Sequence, residues 1–589
     1  MGQFFKFMFA SALGMLLMFI LLFFIFLGMV GALVSSAGGE KSTTISANSI
    51  LEIKLDEPLT ERTPNNPLKN LKFPSLETSK QLGVYDIVKN IEKAGTDESI
   101  KGIYLDVSNI QGGLASIEEI RNALLRFKES KKFIIAYSED YAQTTYYLCS
   151  VADKIYLNPQ GAIDFKGFFT ELAFFKGMLE KLEIQPEVIR HGKFKSAVEP
   201  FIADKMSPEN REQIKTFVDA MWNHTVEGIA QSRKKSAEQI MQIADSLKVQ
   251  QPEDAVTYGL ADQLAYQDEV EKILKEKTGI SSTGKLNLVS LGKYNHVPEK
   301  LGDYVSDKIA IVFAAGAIGS GEGDDEQIGS ETTAAAIHKA RLDKNVKAIV
   351  LRVNSPGGSA LASEVIWRET ELAQKVKPVV VSMGNLAASG GYYISCAADT
   401  IVAQPNTITG SIGVFGVLFN IKNMLNNKLG ITTDIYKTGN YSDIGMPTHP
   451  LSDAERKIIQ NSVEDVYSTF IKHVADGRGM TTAEVDSIGQ GRVWSGIDAK
   501  RLGLVDVLGG FNDAIKIAAK MAKLDNYRIT ELPVQKDPIE ELIKDMKGDA
   551  EASYVKKNFG DAADYLKSLK DILNMRGVQA RMMFDVVIK

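Results

Sequence analysis

The sequence contains an internal repeat, in which a set of residues near position 150 recurs 246 positions later. The recurring groups keep their order and spacing: Tyr146-Tyr147-Leu148 with Tyr392-Tyr393-Ile394, Ala152-Asp153 with Ala398-Asp399, and Pro159 with Pro405. A chain that repeats over such a length is expected to fold as two copies of one unit. We predict a first repeat over residues 47–304, which includes a linker, and a second repeat over residues 305–535.

Each repeat is predicted to have an α/β fold. In the second repeat, residues 348–353 and 378–382 are short runs rich in β-branched residues, which are typical of buried strands. Residues 363–375 between them have the pattern of a helix. This strand-helix-strand order indicates a mainly parallel sheet covered by helices.

Three segments lie outside this pattern. Residues 281–304 and 318–330 are rich in Gly, Ser, Asp and Asn, and we predict a linker and a mobile loop there. Residues 536–589 have an amphipathic composition without a second copy in the chain. We predict that they form a C-terminal helical extension that packs on the body or on a neighbouring subunit.

The N-terminal segment is predicted to span a membrane. Residues 7–34 contain no charged side chain, and a helix of that length reaches about 42 Å, more than the roughly 30 Å of bilayer hydrocarbon. Lys6 precedes the segment, while Glu40 and Lys41 follow it, so the N-terminus is expected in the cytoplasm and the rest outside. Residues 1–46 are therefore predicted to be an anchor and short linker. The small residues after the span would also allow this segment to be cleaved off as a signal peptide.

Composition argues against several classes of partner. The net charge is −6 with both signs well mixed, and no basic block is present, so nucleic acid is not an expected partner. Cys149 and Cys396 are expected to be buried thiols. Residues 279–286 resemble a phosphate-binding loop but have Leu286 at the magnesium position, and the acidic residues of 322–326 lack calcium-loop spacing. We predict no cofactor and no metal.

Ser389 is the candidate nucleophile. It lies in Ala387-Ala-Ser389-Gly-Gly-Tyr392, between a predicted buried strand and a predicted helix. The free N–H groups at a helix start stabilise negative charge, and small neighbours let a substrate backbone approach. The matching position of the first repeat holds Gln143, and a serine that only caps a helix need not have diverged in this way.

A second glycine-rich turn could stabilise an oxyanion. The turn Asn354-Ser-Pro-Gly-Gly-Ser359 follows the strand that ends at Val353. Its backbone N–H groups, with Gly358 as the candidate, could join the N–H of Gly390 as two oxyanion donors.

The base that would activate Ser389 is predicted to be a lysine. None of the six histidines lies in a recognisable triad context. Lys193 and Lys195 follow a predicted strand over 187–190, beside small and apolar residues that could bury an amine. Burial lowers the pKa of a lysine, as a general base near neutral pH requires. Spacing alone does not choose between the two lysines.

Several motifs in order resemble the signal peptide peptidase A family, also called protease IV, in its double-domain form. These are residues 194–201 (Phe-Lys-Ser-Ala-Val-Glu-Pro-Phe), 354–359, 387–392, 409–413 (Thr-Gly-Ser-Ile-Gly) and 503–506 (Gly-Leu-Val-Asp). The resemblance covers nearly the whole chain. It implies that Ser389 is the nucleophile, that Lys195 is the base, and that Ser411 orients the lysine. It also implies a ClpP/crotonase-like fold and a bowl-shaped homotetramer.

The repeat explains how such a site is divided. The first repeat has the lysine but Gln143 in place of the serine, whereas the second has Ser389 but Ser442 opposite Lys195. The active site is therefore expected between the halves, either within one chain or between neighbours. The resemblance and the anchor together imply a single-pass inner-membrane enzyme that degrades cleaved signal peptides and other apolar peptides on the periplasmic or extracytoplasmic side. A crotonase-like acyl-CoA enzyme and a non-catalytic membrane scaffold are the alternatives.

Overall fold

A computed structural model describes residues 2–38, 45–65, 71–72, 77–78, 81–298, 305–535 and 577–582. The N-terminal helix α1 (Gly2–Gly38) contains one stretch, Gly2–Phe24, that is long and apolar enough to cross a membrane by length and composition. The described side chains of this stretch are exposed. Most of the predicted helical extension, residues 536–576 and 583–589, lies outside the described residues. The described part contains a strand, Gln579–Arg581, and not a helix, because these residues pair with neighbouring strands.

Strands of the two halves are given in chain order. Those before residue 305 are β1 (Ser49–Ile53), β2 (Leu71–Lys72), β3 (Glu77–Thr78), β4 (Ile100–Asp106), β5 (Phe133–Tyr141), β6 (Lys154–Ile163), β7 (Gln185–Arg190), β8 (Gln263–Leu264) and β9 (Leu288–Ser290). Those after it are β10 (Lys308–Ala315), β11 (Ala317–Gly319), β12 (Gln327–Gly329), β13 (Val346–Ser355), β14 (Gly357–Ser359), β15 (Val379–Ala388), β16 (Thr400–Ala403), β17 (Ile408–Gly410), β18 (Phe415–Asn420), β19 (Val493–Ser495), β20 (Val507–Leu508), β21 (Arg528–Leu532) and β22 (Gln579–Arg581).

The helices follow the same division. Those of the first half are α2 (Val84–Thr96), α3 (Leu114–Lys128), α4 (Gln143–Cys149), α5 (Lys176–Lys181), α6 (Glu199–Ile202), α7 (Pro208–Arg233), α8 (Ala237–Asp245), α9 (Pro252–Thr257), α10 (Gln267–Thr278) and α11 (Leu291–Tyr294). Those of the second half are α12 (Ser330–Leu342), α13 (Ala360–Gln374), α14 (Gly390–Ser395), α15 (Asp453–Arg478), α16 (Thr482–Ile488), α17 (Gly496–Arg501) and α18 (Phe511–Met521). A 3₁₀ turn spans Ser196–Val198, and a π-helical turn spans Met424–Lys428.

Each half is built on its own mainly parallel sheet, which confirms the α/β prediction. The first sheet has the order β8-β6-β5-β4-β1-β9 with parallel pairing throughout. The second has the order β19-β17-β15-β13-β10-β21, with β16 beside β15 and β20 beside β16. Alternate residues of β13 enter cores on opposite faces: Ile349 and Leu351 pack in one, Ala348 and Val350 in the other. Strands buried on both faces have such continuous apolar runs because helices cover both sides of a parallel sheet.

The cysteine prediction is confirmed, and the two long helices have serine caps. Ser207 and Ser452 cap the N-termini of the long helices α7 and α15, where Ser452 also forms a capping box with Glu455. Cys149 and Cys396 are both buried free thiols.

Two predicted loops are more regular than their composition indicated. Within the predicted linker, residues 288–294 form β9 and α11, and β9 pairs with β1 at the edge of the first sheet. Within the predicted mobile loop, β11 and β12 pair in parallel. Both segments find backbone hydrogen-bond partners on neighbouring strands, which composition alone does not reveal.

A third sheet joins the two halves, in the order β12-β11-β14-β22-β18-β7. The first-half strand β7 pairs antiparallel with the second-half strand β18 from Arg190↔Phe415 to Gln185↔Asn420. This pairing brings the chain after β7 into the second half.

Buried polar contacts also hold the halves together. The guanidinium of Arg352 on β13 lies 2.6 Å from Glu61 and 2.8 Å from Glu119, and all three side chains are buried. Asn385 on β15 accepts a hydrogen bond from the backbone N–H of Ser116 and donates one to the Ser116 hydroxyl. Buried charges require such partners, so these contacts fix how the first half docks.

Candidate active site

Ser389 lies at a sharp turn between the end of β15 and the start of α14. Its φ of 54° and ψ of −113° are unusual for a residue with a side chain. Strain of this kind costs about 1–3 kcal/mol and persists only where the surroundings enforce it. The Ser389 N–H donates to the carbonyl of Gly410 at 2.8 Å, which holds the turn.

Lys195 reaches this turn because the segment after β7 threads between two glycines of the second half. A Cβ atom on Gly491 would lie 2.6 Å from the Lys195 Cα, and one on Gly413 would lie 3.3 Å from its Cδ. The N–H of Phe194 donates to the carbonyl of Gln490 at 3.1 Å. The absence of side chains at these two glycines lets the lysine segment approach the second-half backbone.

The side chains of Lys195 and Ser389 meet inside the protein, within one chain. The Nζ of Lys195 lies 3.0 Å from the Oγ of Ser389 and 3.1 Å from the Oγ of Ser411. It also lies 3.3 Å from the carbonyl oxygen of Ser411. Lys195 is 1% exposed and Ser389 is 0% exposed. Burial lowers the pKa of the Lys195 amine to about 7, because an ammonium ion is poorly stabilised away from water.

The competing bases lie elsewhere. Lys193 is exposed, with its Nζ 5.4 Å from the centre of the Phe194 ring. His191 is the histidine nearest Lys195 in sequence. Its Nδ1 lies 2.6 Å from a carboxylate oxygen of Glu464, and its ring stacks on Tyr467. Neither side chain has a contact with Ser389.

The two candidate oxyanion donors, Gly358 and Gly390, both lie beside Ala580 of β22. Gly358 is opposite Ala580 of β22 in an antiparallel register. A Cβ atom on Gly357 would lie 2.5 Å from the amide nitrogen of Gly390 and 2.1 Å from the carbonyl oxygen of Ala580. Only glycine fits at Gly357, which also has a φ of +89°. The glycine turn of residues 354–359 therefore meets the Ser389 turn at the carboxyl edge of the second sheet.

Gln213 holds the lysine segment, and sequence reasoning missed it. Its Nε2 donates to the carbonyl of Phe194 at 3.2 Å and to the hydroxyl of Ser196 at 2.7 Å. Its Oε1 accepts from the N–H of Val493 on β19 at 3.2 Å. This buried amide thus joins the residues on both sides of Lys195 to the second half. A glutamine on a helix has no sequence signal for such a role.

Glu199 also positions this segment from its own side. Its carboxylate accepts hydrogen bonds from the hydroxyl of Ser207 at 2.5 Å and from the side chain of Asn210 at 2.9 Å. The acidic residue of the Lys-Ser-Ala-Val-Glu-Pro motif thereby ties the lysine segment to the start of α7.

The first half retains the same geometry with a different side chain. Gln143 accepts hydrogen bonds from the N–H groups of Lys166 and Gly167 at 2.9 Å, and it donates to the Gly167 carbonyl. Gly167 is 246 positions before Gly413, whose carbonyl accepts a hydrogen bond from the Ser389 hydroxyl at 3.3 Å. An amide cannot serve as a nucleophile, so in the first half this contact is structural. Ser442, which is opposite Lys195 in the repeat, is exposed.

Among the residues that the structure describes, one group of side chains has atoms close enough to share a metal. The ligand atoms of Asp443, His449 and Glu455 lie within 4.8 Å of one another. The ammonium group of Lys437 lies 2.6 Å from Asp443 and already balances its charge. None of these residues contacts Lys195 or Ser389.

One family model and several relatives match most of the chain. The model of peptidase family S49 matches residues 126–281 and 371–525, one match in each half. Protease 4 of Salmonella typhi is 40% identical over 90% of this chain and 88% of its own length. Protease 4 of Haemophilus influenzae is 38% identical over 84% of this chain and 83% of its own length. The chloroplastic serine protease SPPA of Arabidopsis thaliana is 33% identical over 85% of this chain and 74% of its own length. Among solved structures, a ClpP1 point mutant from Listeria monocytogenes aligns over 35% of this chain and 94% of its own, with 16% identity and a TM-score of 0.24.

Proposed function

This chain belongs to peptidase family S49 and is a serine protease, and we propose that it hydrolyses peptide bonds with Ser389 as nucleophile and Lys195 as general base. The observation that carries the proposal is the 3.0 Å distance between Lys195 Nζ and Ser389 Oγ in a buried site. Family membership leaves the acyl-CoA alternative without support.

The lowered pKa of Lys195 supports its role as the base. With a pKa of about 7, a large share of the Lys195 side chains is neutral near physiological pH. A neutral amine accepts the Ser389 proton as Oγ attacks the peptide carbonyl, and the resulting ammonium then donates a proton to the leaving amine. The same amine activates the water that hydrolyses the acyl-enzyme. Ser411, 3.1 Å from Nζ, orients the amine toward Ser389.

The N–H groups of Gly358 and Gly390 are proposed to stabilise the oxyanion. The Ser389 N–H is already occupied by Gly410, so it is not a third donor. Backbone donors that are fixed before the reaction stabilise the transition state without reorganisation, and one donor is worth about 2.7–4 kcal/mol.

We further propose that the enzyme is anchored in the inner membrane by α1, with its catalytic part on the periplasmic side and as a homotetramer. The substrates would be cleaved signal peptides and other apolar peptides released at the membrane. The length and composition of the Gly2–Phe24 stretch support the anchor. Extraction of membranes at alkaline pH tests it: the full chain should stay in the membrane, and a chain lacking residues 1–46 should be released.

A fluorophosphonate probe, which reacts with activated serines, tests the catalytic assignment. We expect labelling of the wild type, loss of labelling in Ser389→Ala, and retained labelling in Ser442→Ala, where the exposed serine outside the site is removed. The wild type and Ser442→Ala should likewise hydrolyse a synthetic signal peptide, and Ser389→Ala should not. Labelling that survives in Ser389→Ala would contradict the assignment.

A further inference from the structure

The loop over residues 489–492, between α16 and β19, lies against the segment that carries Lys195. The carbonyl of Gln490 accepts a hydrogen bond from the N–H of Phe194 at 3.1 Å. A Cβ atom on Gly491 would lie 2.6 Å from the Cα of Lys195, so the two backbones are in close contact. A shift of this loop would therefore shift the amine.

The same loop also binds the backbone of Ser411, the proposed orienting residue. The N–H of Ser411 donates to the carbonyl of Arg492 at 2.7 Å, and the N–H of Gly491 donates to the carbonyl of Ile412 at 2.7 Å. The hydroxyl of Ser411 lies 3.1 Å from the lysine amine. One short loop thus fixes both the amine and the hydroxyl that orients it.

The backbone of this loop needs support from other parts of the structure. Gln490 has a φ of 53° and Gly491 a φ of 84°, which are left-handed values. Such a conformation is unfavourable for a residue with a Cβ atom and persists only where the surroundings enforce it. The contacts of Gln490 are therefore the ones that hold the loop.

Tyr467 of α15 and Asp486 of α16 supply these contacts. The Tyr467 hydroxyl donates to one carboxylate oxygen of Asp486 at 2.6 Å and accepts from the N–H of Gln490 at 3.2 Å. The other Asp486 oxygen accepts from the Gln490 side chain at 3.2 Å. Burial and the hydrogen bond to Asp486 raise the pKa of Tyr467, so its hydroxyl stays protonated and remains a donor.

The first half has the equivalent helices without this pair. α15 and α16 begin at 453 and 482, each 245 positions after α7 and α8, which begin at 208 and 237. At the same spacing, the first half has Trp222 in place of Tyr467 and Met241 in place of Asp486. The helices therefore pack without a tyrosine–aspartate pair, and the pair is present in the half whose loop meets the lysine.

We propose that Tyr467 and Asp486 are positioning residues for catalysis, which act by holding residues 489–492 against Lys195 and Ser411. This inference rests on the proposed function and adds two residues on which the lysine base depends. Without the pair, the loop relaxes while the nucleophile stays in place. The amine then loses its alignment, and water gains access to it.

Water access gives this role a signature in the pH dependence. Among the described residues, the groups next to the Lys195 amine are the hydroxyls of Ser389 and Ser411 and the ring of Phe415. Burial lowers the pKa of this amine from 10.5 to about 7. Partial hydration should therefore raise the pKa of Lys195 and move the rising limb of kcat/KM to higher pH.

Tyr467→Phe tests the proposal, because it removes the hydroxyl and keeps the ring that stacks on His191. At about pH 7 we expect kcat to fall about tenfold or more, with KM changed by less than about twofold. The loss should shrink at about pH 9, where more of the amine is neutral.

Tyr294→Phe is the matched control. Tyr294 is buried in the core of the first half, and its hydroxyl donates to Asp97 at 2.9 Å, so the substitution removes the same kind of hydrogen bond. It should leave the pH profile of the wild type. An unmoved limb in Tyr467→Phe, or an equal displacement in Tyr294→Phe, would overturn the positioning role.

Two substitutions of Asp486 give a second measurement on a different side chain. Asp486→Leu should reproduce the displaced limb of Tyr467→Phe, whereas Asp486→Asn should restore most of the wild-type profile, because its amide oxygen still accepts from the tyrosine. Asp486→Leu with the wild-type profile, or Asp486→Asn as impaired as Asp486→Leu, would contradict the inference.

Ser389→Ala separates this inference from the proposed function. A wild-type profile for Tyr467→Phe together with an inactive Ser389→Ala would overturn the positioning role and leave the proposed function standing. A fully active Ser389→Ala would overturn the proposed function itself, whatever the profile of Tyr467→Phe.

Discussion

The Nζ of Lys195 lies 3.0 Å from the Oγ of Ser389, although the two residues are 194 positions apart in the sequence. The contact exists because β7 of the first half pairs with β18 of the second and carries Lys195 into the second half. Everything proposed for the chemistry depends on this docking, which both positions the amine and removes it from water.

Replacing either Lys195 or Ser389 should abolish turnover without unfolding the chain. We expect Ser389→Ala and Lys195→Met each to lower kcat/KM by about 10³-fold or more, and the double variant to be little worse, because the two groups act as one unit. Steady-state hydrolysis of a reporter peptide measures this. Lys193→Met is the matched control, since Lys193 is exposed, and near-normal activity is expected. Additive losses in the double variant would contradict a shared step.

The pH dependence of kcat/KM should report the Lys195 amine. The neutral form is the active one, so the rate should rise with pH through about 7, the lowered pKa of Lys195. Ser411→Ala should lower the rate and keep a rising limb, because Ser411 is proposed only to orient the amine. His191→Ala should leave the limb in place, since His191 is bound to Glu464. A limb that disappears in His191→Ala would favour a histidine base.

Burial of Lys195 should cost stability in a pH-dependent way. Its pKa falls from 10.5 in the unfolded chain to about 7 in the folded one, a penalty on the order of 5 kcal/mol. The folded state binds fewer protons between these values, so the penalty is full below about pH 7 and disappears as pH rises through 10.5. Lys195→Met should therefore raise the melting temperature most at about pH 6 and little at about pH 10. A gain that is equal at both pH values would argue against a lowered pKa.

Gln213 should act as a positioning residue. Gln213→Leu removes the hydrogen bonds to Phe194, Ser196 and Val493 and leaves buried groups unpaired. We expect kcat to fall about tenfold or more with a smaller change in KM, because the amine loses its alignment with Ser389 rather than its substrate contacts. Gln231→Leu, at an exposed position of the same helix, provides the control. A change confined to KM would place Gln213 in substrate binding instead.

The Arg352 cluster should hold the halves together. Arg352→Met leaves the buried carboxylates of Glu61 and Glu119 without their cation, and loss of one partner of a buried pair costs about 3–5 kcal/mol. Denaturant unfolding should show this loss, whereas Arg368→Met, at an exposed ion pair with Glu371, should change stability by less than about 1 kcal/mol. Equal effects of the two variants would mean that the cluster does not stabilise the docked halves.

Much of the fold was predictable from the sequence because the relevant signals are local. The repeat, the strand composition of residues 348–353 and 378–382, and the serine caps of α7 and α15 each depend on neighbouring residues only. The regular structure of residues 288–294 was not predictable, because β9 is stabilised by pairing with the distant strand β1, where Ile50 is opposite Leu288.

Some features of the candidate site were likewise predictable from local sequence, whereas others depend on tertiary contacts. Neighbouring residues were enough to place Ser389 between a strand and a helix and to place a glycine turn after the neighbouring strand. The docking of the two halves shows the rest: Lys195 rather than Lys193 is buried, Gln213 holds its segment, both partners come from one chain, and β22 lies over Gly358. These features were not predictable, because burial, and with it the pKa of an amine, is set by atoms that surround the residue in space. For Lys195 those atoms belong to Ser389, Ser411, Gly413 and Gly491, which become its neighbours only when the two halves dock.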